Sequence, residues 1–343
     1  ACLLKEQGYD VIGVTMQIWQ EEDSCTVEEN GGCCGLSAVE DARRVAWTLG
    51  IPYYVMNFRK EFQKNVIDYF VAEYLHGRTP NPCIACNRYV KWEALLERSL
   101  EIGADYIATG HYARISQLPN GRYTIRNSVT AAKDQTYALY NLTQFQLSKT
   151  LMPIGDYAKD EVRKIAEDRG LTVAKKKDSM EICFIPEGDY AAWLERRGPV
   201  PPPGDFVDRT GKVLGRHKGI HHYTIGQRRG LGIPAEHRLF VSEIRPGENT
   251  VVLSDGTDLM AHAVWGQGWN PLAPLESGEG VTLRLRHSKT ETPARFLLTP
   301  DGPRAELLAP ARAPTPGQLA VLYRGDTVLG SFWITGATRL GNT

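Results

Sequence analysis

Tyr9-Asp10-Val11-Ile12-Gly13-Val14-Thr15-Met16 is the stretch from which the fold reads outward. It is a β-rich run, buried in type, followed by a polar loop rich in Cys and Gly. Ser37 and Glu40 then stand at capping-box spacing. Val39, Ala42, Val45, Ala46 and Leu49 recur at helical period as far as Gly50. Residues 52–58 read as the next strand, and Phe62, Val66, Phe70 and Tyr74 mark a second helix that stops at Gly77. Val90, Trp92, Leu95, Leu96 and Leu100 mark a third helix, and residues 106–109 form a strand running into Gly110-His111. Strands and helices alternating at such short intervals predict a parallel α/β sheet, with ligands at the carboxyl ends of its strands.

Farther along, residues 112–126 read as a hairpin around Asn120-Gly121. Helical patterns follow from about 134 to 170. The texture changes at Gly198-Pro199-Val200-Pro201-Pro202-Pro203-Gly204, a stiff linker. Beyond it, alternating runs at 238–244, 251–253, 281–286 and 319–323 are separated by Gly, Pro and Asp turns. That is all-β texture with room for two small modules. The opening Ala1-Cys2-Leu3-Leu4-Lys5-Glu6-Gln7-Gly8 reads as the tail of a helix with a glycine C-cap, so a first strand and loop are expected to precede it.

At 343 residues the chain is too long for one ordinary core. Hydrophobic residues make up 42% and charged residues 23%, the proportions of a soluble globular protein. No apolar run is long enough to span a bilayer, and seven cysteines without framework spacing suggest a reducing, cytoplasmic setting. Forty basic residues balance forty acidic ones. Net charge thus counts mildly against a nucleic-acid partner, and any such affinity must come from local patches.

Two cysteine segments carry the chemistry: Asn81-Pro82-Cys83-Ile84-Ala85-Cys86-Asn87-Arg88 and Lys177-Asp178-Ser179-Met180-Glu181-Ile182-Cys183-Phe184. Each sets a thiol among backbone breakers or charges, where a thiolate can form and be reached. Two reachable thiols on separate loops suit sulfur transfer, one carrying the sulfur and one resolving the intermediate. Taken alone, Cys83-x-x-Cys86 is open between a redox pair, half a zinc site, cluster ligands and a packed pair. The adjacent Cys33-Cys34 lacks the spacing to complete a zinc site, and Cys25, Cys33 and Cys34 read as packed or bystander residues. A helix beginning near Asn87 would stabilise a thiolate at its N-terminus. Lys175-Lys176-Lys177 reads as a solvated face or as a phosphate contact that also depresses the pKa of Cys183. Gly226-Gln227-Arg228-Arg229-Gly230-Leu231-Gly232 is a glycine-flanked basic loop suited to phosphate.

In this order the segments resemble the bacterial tRNA-specific 2-thiouridylases, of the PP-loop ATP pyrophosphatase superfamily, over almost the whole chain. The matching stretches are Gly13-Val-Thr-Met16, Ala38-Val-Glu-Asp-Ala-Arg43, Asn81 through Asn87, Ala108 through Arg114, Lys133-Asp-Gln135, Glu181-Ile-Cys-Phe184, Tyr223 through Leu231 and Pro316-Gly-Gln318. The resemblance implies an adenine-nucleotide alpha-hydrolase-like α/β domain over 1–198, a small β-rich central domain over 204–270 and a C-terminal β-barrel over 271–343. It implies ATP-dependent replacement of O2 by sulfur on the wobble uridine, U34, of tRNA. The base is first adenylated because AMP leaves far better than a carbonyl oxygen. Sulfur would arrive as a persulfide from a cysteine desulfurase or sulfur-relay protein, with Mg2+ accompanying ATP.

Carried over by position, Cys86 is the nucleophile and Cys183 the persulfide carrier, a pair that can close into a disulfide. Met16 and Gly110 fall in the ATP pocket, and Asn81, Pro82 and Cys83 meet the target base. His111, Lys133, Asp134, Gln135, Arg284, Leu285 and Gln318 fall at tRNA-contacting positions, although many members carry tyrosine where this chain has Leu285. Many carry aspartate at Cys83, so here Cys83, Cys86 and Cys183 could ligate a [4Fe–4S] cluster. The family's Ser-Gly-Gly-Val-Asp-Ser-Ser phosphate loop would lie before Ala1, and without it ATP binding by residues 1–343 is expected to be poor. Two other classes stay open: an ATP pyrophosphatase that adenylates a small carboxylate or amide, and a non-catalytic RNA- or metal-binding protein.

Overall fold

Parallel pairing comes first along the chain, as the opening residues predict. In the computed structural model, which describes residues 1–18, 36–175, 182–286 and 290–339, strand Gly13–Gln17 runs parallel to Tyr53–Asn57, with Met16 opposite Met56. Helix Leu36–Leu49 is the crossover between them. Tyr53 secures the unit by donating its hydroxyl to Thr15 Oγ1 at 2.9 Å. The third expected strand, Ile107–Ala108, pairs in parallel with Thr150–Leu151 rather than joining the first pair by hydrogen bonds. The expected helix over 134–170 is divided into turns at Thr136–Ala138 and Gln144–Ser148, the short strand Thr150–Leu151 and helix Lys159–Asp168. One cause is Gln135, whose backbone and side chain both bond to Tyr112 rather than along a helix.

Two compact units result. The first comprises Ala1–Asp68, Pro82–Ser116 and Ile125–Tyr190, and the second Tyr69–Asn81, Gln117–Thr124 and Ala191–Thr343. Within the first, Phe62, Val66, Val90, Trp92 and Leu96 are all buried, as the helical periodicity requires.

The second unit holds two β structures. Strands Gly204–Val207, Val213–His217, Phe240–Arg245 and Thr250–Ser254 form a four-stranded sheet. It is packed on Phe206, Ile220, Tyr223, Val241, Val251 and Leu253. Strands Met260–Pro271, Gly280–Arg284, Thr292–Thr299, Gly302–Arg312, Leu319–Arg324 and Thr327–Arg339 close into a six-stranded barrel, because the first pairs with the last. Closure removes the open edges that a sheet this small would expose. Strand Met260–Pro271 crosses the 270/271 position where the barrel was expected to begin. The hairpin at Asn120-Gly121 forms, with Gly121 at φ +82°, and Thr124 Oγ1 on its second strand donates to Val328 O at 2.6 Å. Among the described residues no helix is long and apolar enough to cross a membrane.

Candidate active site

The cysteine segment is helical from Pro82 rather than from Asn87. A first turn, Pro82–Ala85, widens into π-helical turns over Cys86–Leu95 and returns to α-helix at Leu96–Glu101. Proline is suited to the first helical position because its fixed φ is already helical and its missing N–H has no partner there to lose. The thiol in the first turn is therefore Cys83, with Cys86 one turn further in, and the helix-terminus argument transfers to Cys83. Wide turns of this kind recur at functional sites. Cys83 is exposed and Cys86 half-buried. Around Cys86 the backbone is fixed: Ile84, Ala85 and Asn87 are buried. Asn87 Nδ2 donates to Ala138 O at 2.8 Å and Asn87 Oδ1 accepts from Lys91 Nζ at 2.8 Å.

Cys183 lies in the turn closed by Ile185 N donating to Ile182 O at 2.8 Å. Its neighbours Phe184 and Ile185 are buried, while Cys183 itself keeps partial exposure. The Phe184 ring meets Phe62 edge-on at 5.7 Å. Helical turn Arg59–Phe62 also packs against the Cys86–Leu95 segment, so both thiol segments share one rigid neighbour. Periodicity marked Phe62 only as core and gave no signal of that second role. Lys175 is exposed at the end of turn Thr172–Lys175. Lys176, Lys177, Asp178 and Glu181 lie outside the described residues, as do Cys25, Cys33 and Cys34, and the Ser37 side chain on which the capping reading rests.

Among the expected nucleotide positions, Met16 is near the carboxyl end of the first strand. Gly110 follows strand Ile107–Ala108, and a Cβ there would meet only Ile154 Cδ1, at 3.9 Å. Its φ lies outside the left-handed region, so neither backbone conformation nor protein packing demands glycine. A ligand approaching that surface would. His111 shares a 2.8 Å hydrogen bond between Nδ1 and Thr109 Oγ1 and lies against Trp92, ring centres 5.5 Å apart. Burial, reinforced by the nearby Lys91 charge, lowers its pKa to about 3, so the imidazole is neutral. Asp134 accepts from Ser128 N at 3.0 Å and from Thr136 Oγ1 at 2.7 Å, and Lys133 beside it is half-buried. Gln135 Oε1 accepts from Tyr112 N at 2.9 Å, so Asp134 and Gln135 shape the loop from within.

Gln318 belongs to the second unit and reaches the root of the cysteine loop. Its Nε2 donates to Thr79 O at 2.8 Å, and Thr79 Oγ1 donates to Thr224 Oγ1 at 3.2 Å. The Pro316-Gly-Gln318 and Tyr223-Thr224 motifs thus meet at Thr79, two residues before Asn81. Gly317 and Gly77 make the approach possible, at φ +85° and +66°, and a Cβ on Gly77 would lie 2.7 Å from Ile244 Cγ2. Thr79 carried no signal of its own in the sequence, and Thr224 lay within the matched stretch from Tyr223 to Leu231 with no role assigned to it. Arg284 is held by Glu291 Oε1 at 2.7 Å and stacks over Tyr323 at 4.4 Å. Leu285 is 7% exposed within the barrel core, so the tRNA contact expected there has no side-chain surface to use. In the glycine-flanked loop, Leu231 is buried while Arg228 and Arg229 are exposed.

Comparison with known proteins follows the same division. Residues 1–187 match a model described as the tRNA methyl transferase HUP domain. Residues 191–255 match its PRC-barrel domain, and 262–334 an aminomethyltransferase β-barrel domain. The tRNA-specific 2-thiouridylase MnmA of Lachnoclostridium phytofermentans is 60% identical over 334 residues, 96% of this chain and 94% of that protein. The chain belongs to the tRNA-specific 2-thiouridylase family. Members from Clostridium botulinum strain Hall and Clostridioides difficile strain 630 are 52% and 51% identical, each over 96% of this chain and 93% and 92% of their own lengths. The domain model's name speaks of methyl transfer, whereas the relatives' names speak of thiolation.

Proposed function

We propose that this protein is a tRNA-uridine 2-sulfurtransferase, acting in the cytoplasm on the wobble uridine. The observation that carries this reading is 60% identity to a tRNA-specific 2-thiouridylase along 96% of the chain. Two thiols of partial exposure, on segments packed against a common helical turn, supply the chemistry.

In this reading uridine O2 attacks the α-phosphorus of ATP, taken as its magnesium complex, and pyrophosphate leaves. Cys183 carries a persulfide delivered by a cysteine desulfurase or sulfur-relay protein. Its terminal sulfur attacks C2 and AMP departs with the former O2, leaving the base joined to Cys183 through a disulfide. The Cys86 thiolate attacks Cys183 Sγ and the S–S bond to the base breaks, releasing the 2-thiouracil as its thiolate. A Cys86–Cys183 disulfide remains, which a dithiol reductant returns to two thiols. Met16 and the open face of Gly110 border the nucleotide. Asn81, Pro82 and Cys83 approach the base, Gln318 sets their loop through Thr79, and His111 stays neutral. Lys133 offers positive charge to the tRNA backbone, and Arg284, paired with Glu291, stands at a further tRNA-contacting position.

A second reading draws on Cys83, an exposed thiol one turn before Cys86. Three thiols suit a [4Fe–4S] cluster held by Cys83, Cys86 and Cys183, whose open iron would bind sulfide. The deciding experiment assays ATP-dependent tRNA thiolation by nucleoside mass spectrometry, with and without anaerobic iron–sulfur reconstitution. Thiolation without iron, abolished in Cys86→Ser and Cys183→Ser but retained in Cys83→Ser, is expected. Dependence on iron and on Cys83 would select the cluster. AMP release with no sulfur in tRNA, whatever the reconstitution, would reject both.

A further inference from the structure

We propose that Glu195, His221 and His222 form a divalent-cation site, best suited to Zn2+, that clamps helix Tyr190–Arg197 to the turn Ile220–His222 across the proline linker. His221 Nε2 and His222 Nε2 both face Glu195 Oε1, at 3.4 and 2.9 Å. One ligand atom from each residue lies within 4.8 Å of the other two, a grouping that matches an ion bound about 2.0–2.2 Å from each. Two imidazoles and a carboxylate are borderline donors that favour Zn2+ over the oxygen-seeking Mg2+ and Ca2+.

The slot is also shaped. His221 is fully buried, and its ring stacks obliquely on His222 at 4.4 Å. A Cβ on Gly219, which has φ +132°, would lie 2.5 Å from the His221 ring and 2.7 Å from Pro201 O. Glycine is therefore needed for the ring to sit beside the linker. His221 Nδ1 is buried without a hydrogen-bond partner. It would be unpaired in either tautomer, so an ion at Nε2 adds no new desolvation there. The Glu195 side chain is 45% exposed, which leaves the outer coordination position to water.

Glu195 and His222 are 27 residues apart in sequence and flank the stiff 198–204 segment. A cation joining them would close that loop much as a disulfide would, and would add stability to the folded state alone. The site is independent of the cysteine chemistry.

The test is titration of the metal-stripped full chain with Zn2+, and with Co2+ for its visible absorption, alongside thermal unfolding. One equivalent is expected to bind with a d–d spectrum lacking thiolate charge transfer and to raise the unfolding temperature. Both effects should persist in a Cys83→Ser, Cys86→Ser, Cys183→Ser protein. Glu195→Gln, conservative and largely exposed, should weaken binding by at least about 10-fold and remove the thermal shift. His222→Gln should do the same. Equal affinity in Glu195→Gln and the parent, binding that shows only thiolate charge transfer, or no binding at millimolar Zn2+ would each overturn the proposal.

Discussion

The Gln318 amide ties the barrel to Thr79 within the second unit. Its donation to Thr79 O fixes the chain two residues ahead of Asn81. Gln318→Glu keeps the shape but loses the donor, placing a carboxylate against a carbonyl. The expected outcome is a stability loss of about 1–3 kcal/mol. The kcat/KM for tRNA should also fall, with the KM for ATP unchanged, in steady-state thiolation assays. Equal losses for both substrates would show that the bond supports the fold without positioning the loop. Leu285 is the contrasting case. Buried in the barrel core, its truncation to Ala should cost about 2–5 kcal/mol in chemical denaturation. The tRNA affinity of the folded fraction should not change. A selective loss of tRNA binding at full stability would restore the contact that position alone suggested.

At the level of elements, the segment from Pro82 to Glu101 separates what its residues announce from what they conceal. Val90, Trp92 and Leu96 gave the helix and its buried face through their spacing, and all three are buried. Its start was misjudged because Pro82 also reads as a breaker, and the same residue is favourable at a first helical position. The wide turns over Cys86–Leu95 have no periodic signature at all. What holds them is tertiary. Trp92 Nε1 donates to Thr150 Oγ1 at 2.7 Å, Thr150 Oγ1 donates to Gln146 O at 2.6 Å, and Gln146 Nε2 returns to Trp92 O at 2.8 Å. Both partners of Trp92 are more than fifty residues from it, so no local window contains them. Trp92→Phe leaves most of the packing and removes one link. It should destabilise by about 1–3 kcal/mol and slow sulfur transfer more than adenylation, because the helix carrying Cys86 loses its anchor. Separate measurement of pyrophosphate release and thiolation would reveal equal slowing if the ring of bonds were merely structural.

Across the whole molecule, the α/β start and the β-rich remainder were legible because period-2 and period-3.6 patterns do not mimic each other over long runs. The division into units was less so. Helix Asp68–Leu75 follows the first unit in sequence, yet Phe70 packs edge-on against Trp193 at 6.0 Å in the second, a long-range choice that composition does not encode. Burial on this scale also sets the response to acid. His111, His217 and His221 all have pKa values pushed down, mainly by desolvation, His111 to about 3. His217 is locked as a neutral ring, its Nδ1 accepting from Gly219 N at 3.0 Å and its Nε2 facing Asn249 O at 3.0 Å. The unfolded chain takes up these protons as pH drops through about 6.5, whereas the folded chain refuses them until lower pH. The unfolded state therefore binds more protons in that window, and stability must decrease as pH falls from about 6.5. Each histidine fully withheld from protonation contributes at most about 1.4 kcal/mol per pH unit. Glu195, Asp208 and Asp255, whose pKa values are lowered, act in the same sense only below the ordinary carboxylate range. Denaturant unfolding between pH 7.5 and 5 should show a steady loss of stability before the carboxylates titrate, and His111→Gln should reduce its slope. A flat or rising profile across that interval would mean that these imidazoles protonate in place, and that the burial assigned to them does not govern their charge.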